Sequence, residues 1–166
     1  MFIGENVSVA DNQQERLNAD WIVGFVDGEG CFYVGINKQH KMTLGWQVLP
    51  EFRVVQHQRD EILLFKLKEY FGFGNIKINH GDRKEFRVRG LDNLNKLLSF
   101  FKKHPLKTSK LHNFELFSEI LELMNNKEHQ TKNGLEKIAN LASMMNRQVP
   151  RHLESSETIR RNPNEF

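Results

Sequence analysis

Ile22-Val23-Gly24-Phe25-Val26-Asp27-Gly28-Glu29-Gly30 is an apolar run that closes on two carboxylates set between glycines. It predicts a helix with Asp27 and Glu29 at its C-terminal end. That end carries exposed carbonyls and partial negative charge, so acids there cost a few tenths to about 1 kcal/mol unless a cation offsets them. A hard divalent cation does so by taking carboxylate and backbone carbonyl oxygens together. Gly28 and Gly30, without Cβ atoms, permit a sharp turn and a close backbone approach. The stretch reads as a metal site on a helix end; the competing reading is ordinary Asp-Gly and Glu-Gly turn chemistry that merely stops the helix. Gly24 inside the run costs roughly 1 kcal/mol against alanine, which points to a second helix packing closely there.

Outward from this run, the pattern alternates between periods. Cys31 to Asn37 reads as a strand, residues 38 to 45 as a hairpin connection and Trp46 to Val55 as a second strand, although Pro50 favours an edge or a bulge. Residues 60 to 71 have helical spacing, with Gly72 at the C-cap position. Asn75 to Asn79 and Glu85 to Arg89 form another strand pair around Gly81-Asp82. A helix follows from Asp92 or Asn93 to Pro105, then amphipathic helices over Ser109 to Met124 and Gly134 to Met145. The expected class is α+β, an αββαββα core with extra C-terminal helices. Its four strands form one antiparallel, saddle-like sheet, with helices on one face and the other face open. One domain spans 17–148, with an N-terminal extension over 1–16 and a polar tail over 149–166.

The chain has 166 residues, a formal net charge of +3 and a single cysteine, Cys31. One cysteine excludes an internal disulfide framework and a cysteine-rich zinc site. No apolar run approaches the eighteen or so residues needed to span a bilayer, and the first fifteen residues do not read as a targeting signal. An intracellular chain is expected. Positive charge gathers on the strands: Lys77, Arg83, Lys84, Arg87 and Arg89 stand against Asp82 and Glu85, and Lys38, Lys41, Arg53 and Arg59 against Glu51. Polar side chains recur there at every second position. A strand of about eleven residues extends roughly 36 Å, long enough to follow a duplex, and these side-chain types suit base edges in a major groove. The simpler alternative is a solvated basic face.

Gly24, Asp27, Gly28 and Gly30, with Glu29 where a second acid is usual, make Ile22 to Gly30 resemble the LAGLIDADG motif of homing endonucleases. The resemblance covers roughly residues 17 to 125 and takes in Phe52-x-Val54-x-Gln56, Phe71-Gly72-x-Gly74-x-Ile76 and Leu106-Lys107. A single copy of the motif implies the homodimeric type, with Ile22, Val23, Gly24 and Asp27 at the dimer interface.

The resemblance implies a site-specific double-strand DNA endonuclease that cleaves a long pseudo-palindromic target by metal-dependent hydrolysis and leaves 3′ overhangs. Glu29 takes the place of the metal-binding acid, with the Gly28 carbonyl beside it. Magnesium is the expected ion, with manganese in its place or calcium bound without cleavage. Gln56 and Lys107 match the positions that orient water and stabilise the phosphate. A basic residue is expected a few positions after Gln56, where ungapped counting places Asp60 and leaves Arg59 one position early. Expected DNA contacts are Tyr33, Gly35, Asn37, Lys38, His40, Lys41, Gln47, Glu51, Arg53, Arg59, Asn75, Lys77, Asn79, Arg83, Lys84, Glu85, Arg87 and Arg89. The alternatives are an intron-splicing maturase, for which intron RNA is a partner, and a non-catalytic nucleic-acid binder.

Overall fold

The computed structural model describes residues 16–146. The predicted extension, apart from Arg16, and the predicted polar tail lie outside the described residues. Helix α1 (Ala19–Glu29) starts earlier than its apolar run because the Asn18 side chain caps it, accepting the Trp21 N–H at 2.8 Å. Gly30 closes the helix in extended backbone, its N–H donating to the Val26 carbonyl, and opens strand β1 (Gly30–Lys38) with no intervening loop. Strand β2 (Trp46–His57) returns antiparallel and leads through a 3-10 turn at Gln58–Asp60 into α2 (Glu61–Phe71). Strands β3 (Asn75–Ile78) and β4 (Arg83–Val88) follow, then α3 (Leu91–Lys103), α4 (Lys110–Asn125) and α5 (Lys132–Met144).

The four strands form one antiparallel sheet in the order β1-β2-β4-β3, as the α+β, αββαββα reading expects. Pro50 is compatible with β2 because β4 pairs only with Phe52 to His57 and does not reach it. Register sorts the side chains by parity. Even-numbered positions (Phe32 and Ile36, Val48, Phe52 and Val54, Phe86 and Val88) are buried under the helices. Odd-numbered positions, including Tyr33, Asn37, Gln47, Arg53, Lys77 and Arg87, share the opposite face.

Aromatic rings dominate the covered face. Phe32 lies 5.1 Å from Phe52, 5.3 Å from Phe117, 5.5 Å from Phe114 and 5.9 Å from Phe101, centroid to centroid. It therefore joins β1 and β2 to α3 and α4. Truncating such a ring to alanine costs about 3–5 kcal/mol through lost transfer energy and the cavity left behind. Gly74 is required at a close approach: its φ is +91°, and an added Cβ would meet the Phe86 ring at 2.4 Å. Helix α1 packs against β1 and β2, while α2 covers β2, β3 and β4. The end of α1 is thus held at the rim of the sheet.

Candidate active site and nucleic-acid interface

Three segments meet where α1 passes into β1. Asp27 accepts the Lys107 N–H at 2.8 Å, the Thr108 N–H at 3.2 Å and the Thr108 hydroxyl at 2.8 Å. Lys110, at the start of α4, donates from Nζ to the Gly30 carbonyl. Gly30 stands opposite Val54, so Gln56 lies two residues further along β2 on the same face, where it faces Lys84 of β4. The α1 end, the segment preceding α4 and the end of β2 therefore frame one corner of the molecule.

Glu29 is exposed at that corner, in a helical turn whose final carbonyls have no intrahelical partners. It forms no ion pair among the described residues, whereas Asp27 is engaged by Lys107 and Thr108. This divides the two acids: Asp27 ties segments together and Glu29 remains open to a ligand. Among the described residues no three His, Cys, Asp or Glu side chains group to hold a metal. The donors present are all oxygen, one carboxylate and the carbonyls of the turn including that of Gly28. They fit the all-oxygen ligand preference of a hard divalent cation, which completes its shell with water. Lys107 is exposed and forms no side-chain ion pair among the described residues; Lys110 was not expected from the sequence, because its contact joins residues eighty positions apart.

The predicted interface residues on α1 divide. Ile22 is completely buried and Val23 nearly so in the protein's own core. They cannot form an intermolecular contact, because their helix positions point toward the sheet. Gly24 and Gly28 point away from it, exposed, and a Cβ on either would meet no atom within 4 Å. Trp21 is exposed beside them and stacks on Phe25 at 4.7 Å. Asp27 is occupied within the chain, as described above.

The open sheet face brings together Tyr33, Gly35, Asn37, Gln47, Glu51, Arg53, Asn75, Lys77, Arg83, Glu85 and Arg87, with Asn79 and Arg89 continuing the same side. Within it the structure corrects several expectations. Glu51 and Glu85 present almost no surface, at 4% and 1% exposure. Glu51 sits 2.6 Å from Arg89, 3.7 Å from Arg53 and 3.9 Å from Arg87, and Glu85 pairs with Arg87 and accepts from Asn79 at 2.8 Å. Gly35 is buried under the side chains of Tyr33 and Asn37. Lys38 and Lys84 fall on the even-numbered, helix side: Lys38 lies over the Trp46 ring, and Lys84 pairs with Glu61 of α2. His40 and Lys41 are exposed in the β1–β2 connection. Arg59 is exposed and pairs with Asp60 at 3.3 Å.

A sequence model of the LAGLIDADG endonuclease family matches residues 22–121. Probable intron-encoded endonuclease 3 of Neurospora crassa is 34% identical over 138 residues, which are 81% of this chain and 26% of that protein. The chain thus spans about a quarter of the length of this curated relative. The crystal structure of the homing endonuclease I-TnaI is similar with 52% identity and a TM-score of 0.78, covering 80% of this chain and 90% of that one. The LAGLIDADG homing endonuclease I-SmaMI bound to cleaved DNA is 40% identical with a TM-score of 0.77, covering 82% of this chain and 46% of that one. I-SmaMI has also been solved on an uncleaved DNA target in the presence of calcium ions.

Proposed function

The chain belongs to the LAGLIDADG endonuclease family, and we propose that it is a divalent-metal-dependent, site-specific double-strand DNA endonuclease working as two like halves. The observation that carries this reading is Glu29, an exposed carboxylate with no ion-pair partner among the described residues, at the rim of an arginine-rich sheet face. The family membership and the DNA complexes of I-SmaMI support duplex DNA as the partner.

A single Glu29 is one acid, so the second comes from another copy of the α1 end. The glycine-lined face of α1, bearing Gly24 and Gly28, supports close pairing of two such helices. This chain covers 46% of the I-SmaMI chain, which leaves room there for a second unit of similar size. Here a second copy of this chain is proposed as that unit, a reading supported by I-TnaI, 90% of whose chain one such unit covers.

Glu29, with the Gly28 carbonyl, would hold the cation, magnesium in this proposal. When bound, the ion supplies charge stabilisation at the scissile phosphate and lowers the pKa of a water nucleophile. Lys107, exposed beside the same corner, neutralises charge that develops on the phosphate. Gln56, at the end of β2, hydrogen-bonds and orients the attacking water. Cleavage of the two strands across the minor groove leaves 3′ overhangs. The test incubates the full chain with a random-sequence duplex library and magnesium, then repeats it with Glu29→Gln. Bound but uncut DNA with the variant is expected; cutting at the wild-type rate would remove Glu29 from the chemistry.

A further inference from the structure

Placing carboxylates on a surface meant for a polyanion is unfavourable, yet Glu51 and Glu85 lie near the middle of the open sheet face. Their environment gives them a use. Arg89 turns both Nε and Nη2 onto one Glu51 oxygen, at 2.7 and 2.6 Å. Arg53 lies between Glu51, at 3.7 Å, and the Tyr33 ring, at 5.5 Å from its centroid. Arg87 reaches both Glu85 and Glu51. Glu85 is fixed from its other side by Asn79. Burial of these acids is sustained because each is paired with at least one guanidinium. Toward the edges the pattern changes: Lys41, Lys77 and Arg83 are exposed and pair with no carboxylate among the described residues.

We propose that Glu51 is a specificity-determining residue, positioning Arg53, Arg87 and Arg89 as fixed hydrogen-bond donors toward base edges while the unpaired cations at the edges bind phosphates. The inference rests on the DNA-binding reading above. Long cationic side chains free to swing bind any phosphate. Guanidinium groups already anchored by a carboxylate keep a direction, lose less conformational freedom on binding and suit bidentate contact with guanine. The two buried acids also cancel much of the central positive charge, which weakens sequence-independent attraction there. Affinity and discrimination are thereby assigned to different parts of one face.

The test compares the wild-type chain with Glu51→Gln and Glu51→Asp. A random pool of duplexes about 30 base pairs long, in calcium to suppress cutting, supplies the selected wild-type site. Binding constants are then measured for that site and for a scrambled duplex over a series of salt concentrations. Glu51→Gln is expected to bind the scrambled duplex more tightly, with a steeper salt dependence, and to lose at least about tenfold in the ratio between the two duplexes, or about 1.4 kcal/mol. Glu51→Asp keeps the charge and withdraws it by one methylene, so its salt dependence stays at the wild-type value while the ratio falls. If Glu51→Gln does not fold, as judged by circular dichroism, Glu51→Asp decides. A wild-type ratio in every folded variant overturns the inference and leaves the DNA-binding reading standing. Failure of the wild-type chain to bind any duplex overturns both.

Discussion

The Asp27 carboxylate accepts the Thr108 hydroxyl at 2.8 Å across eighty-one positions of sequence, and the same carboxylate also holds the backbone N–H groups of Lys107 and Thr108. The acid in the last turn of α1 thereby satisfies donors of the segment that enters α4. It is a brace between two parts of the corner where Glu29 stands, and it explains why two acids so close in sequence need not share a role.

Replacing Asp27 with alanine removes two acceptor oxygens and the three hydrogen bonds they accept. Hydrogen bonds to a charged group contribute about 1.5–3 kcal/mol each when sheltered, and less when solvent competes, so a loss of about 2–3 kcal/mol in total is expected. Asp27→Asn keeps one acceptor oxygen and should lose less. Urea denaturation would measure both. An Asp27→Ala protein as stable as wild type would show that the brace contributes nothing.

The two lysines of this segment should separate by experiment. Lys110 donates to the Gly30 carbonyl, directly after Glu29, whereas the Lys107 side chain is exposed. Lys110→Met is expected to cost about 1.5 kcal/mol of stability, the value of a charge-assisted hydrogen bond, and to slow cleavage by displacing the α1–β1 junction. Lys107→Met should leave the melting temperature unchanged and slow cleavage alone. Equal melting temperatures for the two variants would contradict this division.

Much of this architecture is legible in the sequence because it rests on local periods. Residues 31–37 and 46–55 alternate with period two, and the even positions prove to be the covered ones. Helix limits moved where a cap overrode the apolar pattern, as Asn18 does for α1 and as Thr131 does for α5, which begins at Lys132 instead of Gly134. Contacts between distant segments leave no periodic trace. Nothing near Lys110 in sequence announces Gly30, and alternation assigns Glu51 to a face without telling that three arginines would cover it. The burial of Ile22 and Val23 was open to a helical-wheel argument, since they fall opposite Gly24 and Gly28 on α1.

His129 lies in the turn between α4 and α5, with its Nδ1 buried and without a hydrogen-bond partner among the described residues. Desolvation lowers its pKa below the ordinary 6.5. The folded protein therefore favours the neutral ring, and as pH falls through 6.5 the unfolded chain takes the proton first. Stability associated with His129 is complete above that value and declines below it, until the folded form is protonated too. Melting curves between about pH 7.5 and 5 should show a smaller acid-side decline in His129→Gln than in wild type. Parallel declines would rule out this contribution.

Gly24 separates the stability of one chain from the pairing of two. It lies within α1, and a Cβ there would meet nothing within 4 Å inside the chain. Gly24→Ala should therefore stabilise the single protomer by up to about 1 kcal/mol through helix propensity. Gly24→Leu keeps most of that propensity but places a branched side chain where two α1 helices would come closest. Its dimer dissociation constant, from sedimentation equilibrium, is expected to rise at least about tenfold, or 1.4 kcal/mol, while the far-ultraviolet circular dichroism stays that of the folded chain. Cleavage should fall in proportion to the dimer lost and recover at high protein concentration, because the proposed chemistry draws one acid from each half. A Gly24→Leu chain that pairs as tightly as wild type would place the contact between halves elsewhere than on the glycine face of α1.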